Sequence, residues 1–164
     1  MPSKAVEDNT IEHENQRFVL LCIFCSSVAF SFCFDVCSGL MALQEGNAYQ
    51  YLWDVQHDPA GLVSLFGSPE AFDASLETFF AKHVSYQEKW GSSIPNPFYW
   101  AGNEHDMFAP LMFNFGADCT RSQYWMRRLQ LMHYSNSPHG VPGNEDYGAM
   151  ASWLLFASLG NNCH

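Results

Sequence analysis

The sequence predicts an all-α protein, because several of its segments pair helix-capping residues with apolar residues at helical spacing. Loop residues separate these segments, most clearly at Asn136, Pro138 and Gly140. Apolar residues make up 48% and aromatic residues 16% of the 164 residues, so the chain can bury a core of the size of one domain.

The first two candidate helices lie between residues 47 and 82. A short helix is predicted from Asn47 to about Val55. Ser68 is placed to cap a longer helix that has Pro69 at its first position and Glu70 in its first turn. Its apolar face recurs at helical spacing and indicates an end near Lys82: Phe72, Leu76, Phe79 and Phe80.

Two further helices are predicted in the middle of the chain. Asp106 can cap one of them, with an apolar stripe of Met107, Phe108, Leu111, Met112 and Phe115 and with Pro110 near the first turn. Thr120 and Gln123 have the spacing of a capping box that opens the other, with three residues directed inward: Trp125, Leu129 and Met132.

The last predicted helix has the sequence AMASWLLFASL, which is apolar nearly all round. Asp146 is placed to cap it and Gly160 to end it. Because a helix without a polar face is stable only in an apolar environment, we expect this helix to be buried.

The first 43 residues differ in character from the rest and form a separate N-terminal segment. Within them Phe18 to Phe34 carry no charge over seventeen residues, the lower edge of the length that spans a bilayer. The acidic residues before the run argue against a cleavable signal peptide. A membrane-inserted segment is therefore open but not favoured.

The charge balance disfavours nucleic acid as a partner. Seven Lys and Arg residues stand against seventeen Asp and Glu residues, which gives a formal net charge of −10. Binding to a phosphate backbone requires a cationic surface.

Three Gly-Asn pairs flanked by carboxylates precede alternate helices. They lie in the segments 45–47, 102–106 and 142–146. Since consecutive helices with short connections run antiparallel, every second helix starts at the same end of the stack. We therefore expect the three acidic loops to meet on one face, although each could also serve only as a capped loop.

Carboxylates, amides and exposed aromatic rings together suit carbohydrate binding. Amide and carboxylate groups bond hydroxyls, while aromatic faces pack on the apolar faces of sugars. Glycosidic cleavage needs one protonated carboxyl as acid and one ionised carboxyl as nucleophile or base. The same oxygens could instead hold a hard cation such as calcium.

Four segments resemble glycoside hydrolase family 92, a family of exo-acting α-mannosidases: EGNAYQYLW at 45–53, HDPAGL at 57–62, FYWAGNEHDMFAP at 98–110 and HGVPGNEDYGAMASWLLFASLG at 139–160. The resemblance implies an (α/α)6 toroid preceded by a β-sandwich. It also implies a calcium-dependent, inverting hydrolysis of α-linked mannose in N-glycans or mannans.

The resemblance covers residues 44–160, followed by a short tail at 161–164. The spacing of about 42 residues between Glu104 and Asp146, taken as one helical hairpin, implies roughly 250 residues for six hairpins. We therefore expect a partial toroid of two to three hairpins without the β-sandwich.

The resemblance also implies roles for individual residues. Glu45 corresponds to the general acid and Asp146 to the base that activates water, with Glu145 assisting. Calcium is expected near Asn103 and Glu104. The mannose subsite is expected to include the following residues: Asn47, Trp53, His57, Asp58, Trp100, Asn103, Glu104 and Asp106.

Two other functions stay open at this point. The chain could be a non-enzymatic fragment with weak or no sugar binding, or a membrane-tethered helical interaction protein anchored by residues 18–34. The compartment is unknown, with the extracellular space or secretory pathway favoured. His83 and His133 show no pattern of partners and are interpreted as surface or core residues.

Overall fold

Helices form all of the regular structure in the described residues, 46–91 and 96–160, of the computed structural model, which confirms the all-α class. The chain divides into two compact units, Met1–Ala48 and Tyr49–His164, and nearly all described residues belong to the second. The α-helices are α1 (Ala48–Tyr51), α2 (Pro59–Leu65), α3 (Pro69–Trp90), α4 (Thr120–His133) and α5 (Ala149–Leu159). Shorter 3₁₀ helices occupy Glu104–Asp106, Ala109–Phe115 and Asp146–Gly148. The ring arrangement of helical hairpins stays a prediction.

Helix α3 begins as predicted and ends later than predicted. The hydroxyl of Ser68 accepts a hydrogen bond from the backbone N–H of Ala71 at 3.1 Å, which confirms the cap. The helix continues past Lys82 to Trp90 because no helix-breaking residue intervenes before Gly91, whose φ of 76° suits glycine. The additional turns carry His83 into the interior.

Two helix starts differ from the sequence prediction. Asp58 caps α2, a helix the sequence analysis did not identify, by accepting a hydrogen bond from Gly61 N–H at 2.9 Å. At α4 the capping oxygen belongs to Asp118, which accepts from the backbone N–H of Thr120 at 3.1 Å, so the predicted capping box is wrong. The inward positions Trp125 and Leu129 are buried as expected.

The segment after Asp106 forms a 3₁₀ helix rather than the predicted α-helix. Its buried residues are spaced three apart: Ala109 with Met112, and Pro110 with Phe113. This matches the three residues per turn of a 3₁₀ helix, so the predicted stripe ending at Phe115 is wrong. Phe115 is exposed.

Aromatic rings from separate helices form the core in two clusters. Trp53, Phe66, Phe72 and Phe79 have ring centroids 5.2 to 5.8 Å apart. Phe80 stacks on Trp125 at 4.7 Å, and Phe113 and Tyr99 complete the second cluster. These contacts fix α3 against α4 and against the chain that leads to residues 102–106.

Helix α5 has its predicted end at Gly160 but not its predicted burial. Gly160 is left-handed, with φ 76°. Leu155, Phe156 and Leu159 are 58%, 59% and 64% exposed. Only Met150 and Ala157 of this helix are buried, and α5 packs along α4.

Candidate functional site

Two of the three acidic loops, at residues 102–106 and 142–146, contact each other through their backbones. A Cβ atom added to Gly102 would lie 2.6 Å from the Cα atom of Gly143, and a Cβ atom on Gly143 would collide with Gly102 in return. Real Cβ atoms do not approach this closely, so both positions require glycine. The crossing of residues 102 and 143 brings the acidic residues that come after each glycine into the same region.

The first loop contains a buried carboxyl group. Asp106 is fully buried, and its Oδ2 accepts a hydrogen bond from the backbone N–H of Trp100 at 2.7 Å. Its Oδ1 is buried with no hydrogen-bond partner among the described residues. Burial raises the pKa of Asp106 well above its ordinary value; the Trp100 N–H opposes this shift and the nearby Asp54 carboxylate adds to it. Burial therefore favours the protonated form of Asp106 over its carboxylate.

Two other residues of the first loop lie against this buried group. Glu104 is half-buried, and its Oε1 has no partner among the described residues. Asn103 is buried, and its backbone N–H donates to the carbonyl of Trp100 at 3.0 Å. Burying polar oxygens without partners is unfavourable unless a ligand satisfies them, so Glu104 is a candidate ligand-binding group.

The chain after the Gly-Asn pair at residues 46 and 47 reaches the same region. The ring of Tyr51, at the end of α1, stacks on the imidazole of His105 with centroids 4.3 Å apart. Asp54 lies near enough to influence the pKa of Asp106. Thus the segment after α1 contacts the first loop.

The second loop presents its carboxylates differently. Oε1 of Glu145 accepts a hydrogen bond from the backbone N–H of Ala151 at 2.9 Å, and its carbonyl accepts from Ala149 at 3.1 Å. Glu145, rather than Asp146, therefore caps α5, which corrects the predicted cap. Asp146 is exposed, and with Tyr147 and Gly148 it adopts positive φ angles of 38°, 58° and 91°.

This run of left-handed backbone is sterically costly for the two non-glycine residues. The capping bonds of Glu145 hold it in place, and aromatic packing supports the helix behind it. Tyr134 stacks on Trp153, whose indole N–H donates to the carbonyl of Met107 at 3.0 Å. Burial raises the pKa of Tyr134 to about 12, and the charge of Glu145 contributes. The turn that exposes Asp146 is thus anchored to the first loop.

The remaining predicted site residues are dispersed. Trp53 is 2% exposed and packs within the aromatic core, so its faces are covered. His57 and Asp58 are exposed, and Asp58 serves as the α2 cap. Trp100 is half-buried beside Gly102. Asn47 is half-buried, and Glu45 lies outside the described residues.

The calcium ion that the resemblance implies is expected near Asn103 and Glu104. Calcium takes six to eight oxygen ligands. Glu104 offers a buried oxygen, but within residues 46–91 and 96–160 no group of three or more His, Cys, Asp or Glu side chains could hold a metal ion.

Sequence reasoning missed a pair of histidines. Nε2 of His83 and Nε2 of His133 lie 3.0 Å apart. Burial lowers the pKa of His83 to about 3 and that of His133 to about 4. Their positions continue the apolar stripes of their helices, three residues after Phe80 and four after Leu129, so extending those stripes would have found them.

No helix in the part of the chain that the structure describes has the length and apolar character of a membrane span. The predicted anchor at residues 18–34 lies outside those residues.

Comparison with known proteins identifies the family. The model of the glycosyl hydrolase family 92 catalytic domain matches residues 28–161, starting earlier than the boundary at residue 44 that the motifs indicated. An uncharacterized secreted glycosidase from Arthroderma benhamiae is 26% identical over 138 residues. That alignment covers 84% of this chain but only 16% of the relative. Because the family model matches most of its length, the chain belongs to glycosyl hydrolase family 92.

Proposed function

We propose that the protein contributes the acid and base residues for hydrolysis of α-linked mannose from N-glycans or mannans, with inversion at the anomeric carbon. The observation that carries this proposal is the backbone crossing at Gly102 and Gly143, which brings two acidic loops into one region. Membership of the glycosyl hydrolase family supports a glycosidase. Mannose as substrate and the inverting course rest on the motif resemblance.

In this mechanism Glu45 protonates the leaving oxygen and Asp146 takes a proton from the attacking water. An inverting reaction requires these carboxyl groups roughly 6.5 to 9.5 Å apart, with the water between Asp146 and the sugar. The exposed position of Asp146 allows a water to reach its carboxylate. Only one inversion occurs, so no covalent intermediate with the protein is needed.

We assign Glu145 to positioning rather than to proton transfer. Its carboxylate accepts from the N–H of Ala151, which clamps the left-handed turn on which Asp146 is presented.

Asn103, Glu104 and Asp106 are proposed to form one wall of the sugar subsite. The partnerless oxygen of Glu104 can accept a hydroxyl hydrogen bond. The buried Asp106 acts through the backbone N–H of Trp100, from which its Oδ2 accepts a hydrogen bond. Calcium dependence is part of the proposal, and Asn103 and Glu104 would be two of the ligands.

The secreted description of the relative supports an extracellular location for this protein. The uncharged run at residues 18–34 suggests the alternative location, attachment to a membrane through this segment. Fractionation of expressing cells checks it: the protein is expected in the medium, and retention in alkali-washed membranes would favour the tethered alternative.

The test of function is release of mannose from α-1,2-mannobiose by the purified protein with calcium, with and without a chelator. We expect release that Glu45→Gln and Asp146→Asn each abolish. Matched replacement of an acid outside the site, Glu88→Gln on the exposed surface of α3, should leave the rate unchanged. If the folded parent protein releases no mannose, the non-enzymatic alternative is favoured. If the chelator does not affect the release, calcium dependence is contradicted.

A further inference from the structure

A cavity of about 260 Å³ lies beside the crossed loops but separate from their carboxylates. Helix α3, helix α4 and the chain segments that lead into the two loops form its walls. Six side chains define its chemistry: His83, Gln87, Trp100, His133, His139 and Val141. The acidic residues at 104–106 and 145–146 do not line it.

The described residues that line the cavity include polar groups but no Asp, Glu, Lys or Arg side chain. Burial, and to a smaller extent the charge of Arg128 outside the lining, lowers the pKa of His83 on this wall. A charged ligand would therefore lose hydration without contacting a counter-charge on the wall, which is unfavourable. The described lining also offers no carboxyl group to serve as acid or base, so a bound sugar would not be cleaved there. Its chemistry favours a neutral ligand that is bound and left intact.

The histidine pair strengthens this point. One hydrogen bond between two Nε2 atoms requires one nitrogen protonated and the other bare, so the accepting imidazole of the pair is neutral. Burial lowers the pKa of His83 to about 3 and that of His133 to about 4, which favours the neutral form of both. The amide of Gln87 both donates and accepts, as sugar hydroxyls do.

The wall behind these groups is fixed. The amide of Asn96 donates to the carbonyl of His83 at 3.0 Å and accepts from the N–H of Phe98 at 3.0 Å. Trp100 and Val141 add apolar surface, which suits the C–H faces of a pyranose. A volume of about 260 Å³ is just below the range of drug-sized pockets and suits a single ring.

We infer that this cavity is a non-catalytic subsite for one neutral hexose unit of the glycan, adjacent to the loops that carry hydrolysis. The inference rests on the proposed function for its substrate class. Three imidazoles also suggest a transition-metal ion, but the described residues contain no group of three ligating side chains that could hold one.

Binding of methyl α-D-mannopyranoside to the Asp146→Asn protein, followed by calorimetry and ligand-observed NMR, tests the inference without turnover. We expect Val141→Trp, which fills the cavity, to abolish binding there. Gln87→Ala should weaken it roughly threefold to tenfold, the value of about one hydrogen bond. Gln123→Ala, an exposed glutamine on α4 that does not line this cavity, is the matched control and should bind as the parent does.

The outcomes separate this inference from the proposed function. Hydrolysis of 4-nitrophenyl α-mannoside by the otherwise unmodified protein reports on the carboxylates alone. If the protein does not hydrolyse this substrate but binds the sugar in a way that the cavity variants weaken, the proposed hydrolase function is contradicted and the inferred subsite is supported. Binding unaffected by both Val141→Trp and Gln87→Ala, with folding verified by circular dichroism, would overturn the subsite, as would cavity-dependent binding of zinc but not of sugar.

Discussion

The two crossed loops share a Gly-Asn-acid sequence but place their acids in opposite environments. In the loop at 102–106, Asp106 is buried, and burial raises its pKa. In the loop at 142–146, Asp146 is exposed on a strained left-handed turn. The first loop runs into a buried 3₁₀ helix, and the second runs into α5, which is exposed along one face. The comparison teaches that surroundings, more than residue type, assign a carboxyl group its chemical role.

The largest expected effect is on catalysis, and it contrasts neighbouring acids of the second loop. Asp146→Asn should lower kcat about 10²- to 10⁴-fold, since it removes a general base. Glu145→Gln should have a much smaller effect, because the amide oxygen can still accept from the N–H of Ala151. Rates of mannose release measure both effects. A larger loss of rate in Glu145→Gln than in Asp146→Asn would make Glu145 the base and Asp146 the positioning residue.

The next effect concerns the crossing itself. Gly102→Ala would force its Cβ against the Cα of Gly143, so we expect destabilisation of about 1–3 kcal/mol together with loss of activity. Gly67→Ala is the control, because a Cβ atom there would meet no atom within 4 Å. Its loss of stability would come only from placing alanine at a φ of 82°. Denaturant unfolding and mannose release are the measurements. Full activity in Gly102→Ala would mean that the loops need not cross.

A third pair of variants tests the buried carboxyl group of the first loop. Burial raises the pKa of Asp106 in the folded state, so the folded chain favours the proton more than the unfolded chain does and this group costs stability at neutral pH. Asp106→Asn keeps an oxygen for the N–H of Trp100 and should be as stable as the parent or more so at pH 7. Asp106→Leu leaves that N–H without a partner and should lose about 1–3 kcal/mol. Equal loss in both would show that Asp106 is ionised.

The histidine pair makes a prediction of opposite sign with pH. The folded-state pKa values of His83 and His133 lie below the ordinary value of 6.5, so the unfolded chain binds more protons as pH falls. Stability from this pair should therefore decrease as pH drops from about 6.5 toward about 4. The raised pKa of Asp106 acts the other way, so the midpoint of urea unfolding is best measured in Asp106→Asn.

The NMR titration of the imidazole Cε1–H signals gives an independent check. Two histidine signals should stay at their neutral positions at pH 5. The titration of both near pH 6.5 would contradict the buried pair.

The sequence alone was sufficient for the fold class and for two helix ends. Capping by Ser68 and the glycine that ends α5 depend on local chemistry, and both are confirmed. The sequence analysis expected three acidic loops on one face; it did not predict the backbone contact between Gly102 and Gly143, because it missed α2 and its argument counted helices.

Other features depend on tertiary contacts that no local pattern contains. Whether the segment after Asp106 winds as an α-helix or a 3₁₀ helix was decided by which residues it buries. Asp106 was predicted to cap the helix that follows it, but its Oδ2 accepts a hydrogen bond from the backbone N–H of Trp100 instead. Glu145, and not the predicted Asp146, caps α5. The reason is the left-handed turn at residues 146–148, which lies between Glu145 and the helix.

The smallest expected effect concerns the helices into which the two loops run. Phe156→Ser should change the free energy of unfolding by no more than about 0.5 kcal/mol, because the ring is 59% exposed on α5. Phe113→Ala, in the buried segment after the first loop, should cost about 3–5 kcal/mol. Urea unfolding compares the two variants directly. A cost above about 1 kcal/mol for Phe156→Ser would mean that the exposed face of α5 is covered in solution, and the second loop would then rest on a buried helix as the first does.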